Sequence, residues 1–531
     1  MTALSTDENG YQAEKRQYLR FLEHVVVERS GKDEAIRTTP LFSLAVKYAV
    51  DGVPLQRTSL SDKENDVMSS SLGAQSEEDK AEATAHGELN GNKPPSIPRT
   101  RPLLPQYGLL GFNLDSKEEF EPPEPIMINV HAPNSVFICG SQGSGKSYTL
   151  ACLLESFLIS DQRFGKLHQP VAGVAFHYDS DSSGATAEIV HLASRGVRVN
   201  VLVSSSNFTA TQDRYRLATQ NADNVTVEKF LLPPSELSVE RMHRLMAFSE
   251  KSDSVPLYME VIQRILRHMA ISGQGRGFNY GEFLQHVDAT KLTADQQRPM
   301  KLRLDLLQSF MRWPPTKSDL KRKTPRRLLS LQPGTLTIVD LSDPFLDDAT
   351  VCMLFDICLS IAKEKRPLCG LVIALDEAHK YMNQSPAAAN FTDRLLTTIR
   401  EQRHIGTRVI ISTQEPTISE KLLDLCSISI VHQFKSPAWF QAIRAHLGGA
   451  SGLFNTPEEQ ASMFEGIVGL AVGESLVFAP GAFIRTSDIN RPSRLGSGVL
   501  RMKTRRRIGA DGGLSVMVGE DSGFAEDVFE Q

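Results

Sequence analysis

Through the middle of the chain, short runs of unbroken apolar residues alternate with stretches that are apolar on one side only. The runs are SVFIC (135–139), VAGVAFHYD (171–179), VRVNVLVS (197–204), TLTIVDLS (335–342), GLVIAL (370–375), TRVIIST (407–413) and SISIVHQF (427–434). Each has strand length and is mostly apolar, which suits strands covered on both faces. YTLACLLESFL (148–158) and the segment Phe391, Leu395, Ile399 repeat at helical spacing. The pattern predicts an α/β fold, a mostly parallel central sheet with helices on both faces. Residues 235–330, including YMEVIQRILRHMA and KLRLDLLQSFM, read as a helical insertion.

The flanks differ. Tyr18, Phe21, Leu22 and Val25 predict an amphipathic helix over 11–28 within an N-terminal segment 1–58. From 59 to 101 the residues are Ser, Glu, Asp, Lys, Ala and Pro without periodicity, and so few apolar groups cannot offset the entropy of ordering, so a disordered linker is expected. The globular region then runs over 102–495, GESLVFAPGAFIRTS (473–487) reads as a terminal hairpin, and 496–531 as a disordered tail.

Composition changes this picture little. At 531 residues, 40% hydrophobic and 23% charged, the chain suits one large or two ordinary soluble domains. A net charge of −5 supplies no global basic field, so any nucleic-acid contact must be local. The six cysteines form no CxxC pair and sit mostly in apolar runs, which argues against a disulfide framework or a zinc site. With no signal-peptide core and no apolar run of membrane length, an intracellular protein, cytoplasmic or nuclear, is expected.

Chemistry enters at Gly140–Ser147, GSQGSGKS, which satisfies G-x-x-x-x-G-K-[ST] between an apolar strand and a helical segment. Gly140, Ser141, Gln142, Gly143, Ser144 and Gly145 would turn backbone N–H groups toward phosphates at a helix N-terminus. Lys146 would reach the β- and γ-phosphates of ATP, Ser147 would ligate Mg²⁺, and Tyr148 would complete the nucleotide site. Such a site needs one carboxylate for the metal and one group to act on the attacking water. TLTIVD ends in Asp340 alone, whereas GLVIAL ends in the pair Asp376-Glu377, so Asp376 is assigned to Mg²⁺ and Glu377 to the base; Asp340 reads as a strand-end or capping carboxylate. Gln414, at the end of TRVIIST, is the candidate to sense the γ-phosphate or position water, the alternative being a loop-capping amide.

The letters Asp376-Glu377-Ala378-His379 spell a helicase class, but Asp376 lies 230 residues beyond Lys146 and only 155 residues follow, too few for a second RecA-like lobe. The order of motifs instead resembles the HerA–FtsK clade of P-loop ATPases: LVIALDEAHKY, then IREQRHIGTRVIISTQEP, then SISIVHQF, with LQPGTLTIVDLSD upstream and GESLVFAP at the end, over about residues 125–490. The resemblance implies a RecA-like P-loop NTPase core, a homohexameric ring with ATP at subunit interfaces, DNA as the polymer moved, and an arginine acting in trans. Arg400 and Arg403, with Arg394 behind them, are the matching candidates. HerA-type motors carry a β-barrel before the P-loop, and no strand-rich barrel is visible here.

Two basic clusters, Lys321/Arg322/Lys323/Arg326/Arg327 and Arg501/Lys503/Arg505/Arg506/Arg507, admit two readings: contacts to phosphate or a nuclear-import signal, and simple solvated loop and tail charge. The alternative to a motor is a nucleotide-controlled scaffold without translocation, since both would share the P-loop.

Overall fold

The computed structural model describes residues 28–51, 102–115, 123–180, 186–247, 257–273, 277–290, 292–316, 321, 327–383, 385–446, 456–484 and 492–510. The linker expected over 59–101 lies outside these residues, as does all but the last residue of the helix expected over 11–28.

Among the described residues, sixteen strands form one sheet. In chain order they begin with β1 (Leu41–Ser43), β2 (Tyr107–Asn113), β3 (Pro125–Asn129), β4 (Ser135–Cys139), β5 (Gly165–Lys166) and β6 (Ala172–His177). Then come β7 (Arg198–Val203), β8 (Val225–Lys229), β9 (Thr335–Asp340), β10 (Leu371–Leu375) and β11 (Thr407–Thr413). The last are β12 (Ile428–Val431), β13 (Glu474–Phe478), β14 (Phe483–Ile484), β15 (Ser493–Arg494) and β16 (Leu500–Thr504).

The apolar runs of the sequence become a parallel block in the order β12-β4-β11-β10-β6-β9-β7-β8. Burial on both faces explains their unbroken hydrophobicity, because alternate side chains feed two separate cores. Val136, Ile138, Val372 and Ala374 join the core under the P-loop helix, Lys146–Leu158. Phe137, Cys139, Ile373 and Leu375 join the opposite core, under the helices Asp348–Glu364 and Pro386–Ile405. The inserted helices Val239–Ala247, Leu257–Ser272, Tyr280–Asp288 and Ala294–Ser309 extend this second core. They are tied to its surface by Lys365 to Glu236 at 2.6 Å and by Arg244 to Asp356 at 3.1 Å.

Beyond β12 the sheet continues as an antiparallel wing, β13-β16-β2-β3-β1, with β14 and β15 at its far edge. It is an open wing rather than a barrel. Phe42, Val46, Leu104, Met127 and Phe483 give it a small core of its own. Three expectations are corrected here. The hairpin predicted over 473–487 does not form, because β13 pairs with β12 and β16 while β14 pairs with β1 and β15. The segment 1–58 is not separate throughout, since β1 pairs with β3. Residues 500–510 are not tail: Leu500, Met502 and Thr504 alternate inward from β16, and beyond them Arg505 pairs with Glu155 and Arg507 with Glu188.

Candidate functional site: the nucleotide end of the parallel sheet

The P-loop leaves β4 and enters its helix at Lys146. Gly140, Gly143 and Gly145 have φ of 154°, 75° and 103°, where side chains are strained. Space decides two of them further. A Cβ on Gly140 would lie 2.7 Å from the Cβ of His432, and one on Gly145 would lie 3.0 Å from the backbone of Gly473. The loop is braced from outside: the Ser141 N–H donates to the Gln433 carbonyl at 2.8 Å, and the Gly473 N–H donates to the Ser144 carbonyl at 3.1 Å. Ser144 Oγ donates to the Ser141 carbonyl at 2.7 Å, and Lys146 Nζ to the same oxygen at 2.9 Å. Burial pulls the Lys146 ammonium below its ordinary value, against the opposing charges of Glu377 and Asp376. Ser147 stands in the first helical turn, half-buried beside it.

The strand between P-loop and carboxylates is β11, hydrogen-bonded to β4 on one side and β10 on the other. This register brings Gln414 to Glu377, whose Oε2 accepts from Gln414 Nε2 at 3.1 Å. Glu377 has φ 48°, a left-handed conformation that costs a non-glycine residue about 1–3 kcal/mol and is concentrated at functional sites. The Gln414 N–H donates to His379 Nδ1 at 3.3 Å. Burial lowers the His379 pKa, and a neutral ring accepting at Nδ1 has no proton there for Glu377 Oε2, 3.4 Å away.

Asp376 and Asp340 end strands of the same sheet but differ in how they are satisfied. Asp340 Oδ2 accepts from Tyr215 Oη at 2.7 Å and Oδ1 from the Ser342 N–H at 3.0 Å. Both its oxygens are used, as a capping carboxylate requires. Asp376, 3% exposed, accepts at Oδ2 from His177 Nδ1 at 3.3 Å, while its buried Oδ1 has no partner among the described residues. Burial lowers the His177 pKa, but the Asp376 hydrogen bond and the charges of Asp340 and Asp376 outweigh it and raise the ring to about 9.

The remaining sequence candidates are not gathered here. Tyr148 Oη accepts the Arg507 N–H at 2.7 Å, and the Arg507 guanidinium lies 5.5 Å from the ring centroid, so Tyr148 faces the C-terminal segment. Arg400 and Arg403 are exposed near the C-terminus of the helix Pro386–Ile405, which is about 30 Å long and runs away from the site. Arg394 forms an ion pair with Asp356. In the second basic cluster, Arg505 pairs with Glu155 at 2.6 Å, Arg507 with Glu188, and Arg501 with Glu474 at 2.8 Å. Solvated tail charge does not describe Arg505, which is 4% exposed. In the first cluster, Arg322, Lys323 and Arg326 lie outside the described residues.

His432 was not singled out by its sequence. Fully buried, it links three elements: Nε2 lies 3.0 Å from Thr149 Oγ1 of the P-loop helix, and Nδ1 lies 2.9 Å from the Glu474 carbonyl of β13. Thr149 in turn meets Thr504 of β16 at 3.0 Å. A lone histidine at the end of an apolar strand carries no signal of this; only the pairing of β12 with β13 creates it.

No family model and no curated protein matches the sequence. Solved structures that match include VirB4 of Thermoanaerobacter pseudethanolicus, 13% identical over 75% of this chain and 96% of that one, at a TM-score of 0.46. The bacterial conjugative coupling protein TrwB is 12% identical over 71% and 85%, at 0.35. The genome packaging NTPase B204 from Sulfolobus turreted icosahedral virus 2, in complex with AMPPCP, is 12% identical over 65% and 92%, at 0.25. In its own strand order the chain is an α/β protein whose parallel sheet carries the P-loop between β4 and the helix Lys146–Leu158.

Proposed function

We propose that this chain is a Mg²⁺-dependent ATPase of HerA–FtsK type that forms a ring and moves along DNA. The observation that carries the ATPase reading is the hydrogen bond from Gln414 to Glu377, one strand from the P-loop and beside the open carboxylate of Asp376. The loop Gly140–Gly145 and Lys146 bind the triphosphate, with Lys146 exchanging its contact to the Ser141 carbonyl for phosphate oxygens. Glu377 takes the proton of the attacking water, and Gln414 holds that carboxylate in its strained position.

The residues present fit a magnesium ion. The orphaned, buried Oδ1 of Asp376 needs a donor, and metal-bound water is one; Ser147 supplies a hydroxyl. Among the described residues no group of three His, Cys, Asp or Glu could hold a metal, which suits an ion shared with phosphates and water rather than caged by protein. When bound, the ion would offset charge on the β- and γ-phosphate oxygens.

Among the described residues, no arginine hydrogen-bonds to Lys146, Asp376, Glu377 or Gln414. An arginine acting in trans rests on the order of sequence motifs, and the exposed Arg400 and Arg403 are the candidates. DNA as substrate rests on the order of sequence motifs. ATP turnover measured with and without DNA, beside sizing with and without ATP, tests the whole. The motor reading expects DNA-stimulated turnover and an ATP-dependent oligomer. A monomer whose turnover ignores DNA refutes it and leaves a nucleotide-controlled scaffold.

A further inference from the structure

We propose that His177 is a positioning residue that fixes the carboxylate of Asp376, so that Oδ1 is the oxygen offered to the hydration shell of the nucleotide's metal ion. The inference rests on the ATPase reading of the site and adds a residue to it.

The backbone sets the pair. The Asp376 N–H donates to the Phe176 carbonyl at 3.0 Å and the Leu341 N–H to the His177 carbonyl at 3.1 Å, so the ends of β6, β9 and β10 are locked side by side. His177 pairs in register with Asp340 and is 5% exposed. What remains free is the carboxylate's own torsion, which is broad and nearly two-fold, so an unheld aspartate offers either oxygen. The contact from Nδ1 to Oδ2 at 3.3 Å removes that choice. It does not depend on the ring's charge, since Nδ1–H is the donor in the imidazolium and in the Nδ1–H tautomer alike.

Two buried atoms of this pair, Asp376 Oδ1 and His177 Nε2, have no partner among the described residues. A buried acceptor left unmade costs about 1–3 kcal/mol. Asp340, two strands from Asp376 with β6 between them, shows that this sheet edge can close a carboxylate completely with a tyrosine hydroxyl and a backbone N–H. The edge therefore carries one aspartate sealed by protein and one held at a single oxygen with the other left for something that arrives. Partners of a metal-ligating group typically contribute about 10- to 100-fold to metal affinity.

The test uses Mn²⁺ as the probe ion. Free Mn²⁺ is followed by electron paramagnetic resonance during titration of the full-length protein with ADP, and ADP affinity is measured separately in EDTA. His177→Asn keeps an N–H donor where Nδ1 stands, whereas His177→Gln moves it to the position of Nε2 and His177→Leu removes it. The proposal expects Gln and Leu each to lose about 10- to 100-fold in Mn²⁺ affinity, Asn to stay close to wild type, and EDTA-state ADP affinity to be equal in all. Either of the two weakened variants suffices if the other fails to fold. Equal Mn²⁺ affinity throughout overturns the proposal, as does an Asn variant as weak as Gln or Leu. Wild-type protein that binds no Mn²⁺ with ADP overturns the ATPase reading itself and this inference with it.

Discussion

Replacing Arg505 by Met should unfold the protein more easily by about 3–5 kcal/mol, the cost of breaking a buried ion pair from one side. The side chains of Arg505 and Glu155 are 4% and 0% exposed, and Nη1 meets Oε2 at 2.6 Å. Arg505 also donates from Nε to the Leu109 carbonyl at 2.7 Å and from Nη2 to the Cys152 carbonyl at 3.1 Å. Its guanidinium lies 4.6 Å from the Phe164 ring centroid. Without it, Glu155, 0% exposed, keeps among the described residues the N–H groups of Ile508 and Gly509, at 3.1 and 2.8 Å. The neighbouring pair Arg501–Glu474, with side chains 47% and 15% exposed, provides the internal control: Arg501→Met should cost less than about 1 kcal/mol. The assay is urea unfolding followed by circular dichroism, comparing midpoints at unchanged slope. Changing Glu155→Leu together with Arg505→Met should recover much of the loss, because the uncompensated charge is gone. If Arg505→Met costs no more than Arg501→Met, residues 505–510 are not part of the folded body and the reasoning fails.

Lys146→Ala should weaken nucleotide binding about 10- to 150-fold, read with a fluorescent ATP analogue, since it removes a charged donor to phosphate. Glu377→Gln should bind ATP normally and lower single-turnover hydrolysis about 10²- to 10⁴-fold; normal hydrolysis would remove Glu377 as the base. For His432, burial drives the ring down to about 4 from an ordinary 6.5. The unfolded chain takes up a proton near pH 6.5 that the native ring refuses until about 4, so stability is full above 6.5 and falls as the pH drops toward 4. That difference is on the order of 3 kcal/mol. His432→Gln should flatten the decline in unfolding free energy between pH 7 and 5, and an unchanged slope would contradict it.

The parallel block and its site could be read from sequence because their physics is local. An unbroken apolar run declares a strand covered twice, and the glycines of 140–145 and the Asp376-Glu377 pair sit at ends of such runs. Gln414 was legible for the same reason. The antiparallel wing was not, because β1, β14 and β15 are only two or three residues long and β1 pairs with β3 and β14, which lie far away in the chain. Register across such gaps has no local signature. Arg505 misled for a different reason: arginine is usually solvated, and nothing in RMKTRRR reveals that Glu155, on the P-loop helix, waits for it. In the Asp376-Glu377-Ala378-His379 stretch, His379 also has a partner, since it accepts the Gln414 N–H.

The brace behind the P-loop also fixes when in the life of the molecule the site can exist. Thr149 and Thr504 meet across 355 residues of chain, and His432, Gly473 and β16 all follow the loop they support. At roughly 5–20 residues per second, a ribosome needs roughly 20–70 s to travel that distance. During that interval the nascent chain carries GSQGSGKS without its backing, and the loop-closure entropy of so long a separation has still to be overcome. The contact that links the P-loop helix to β16 is therefore among the last that this protein can form on the ribosome.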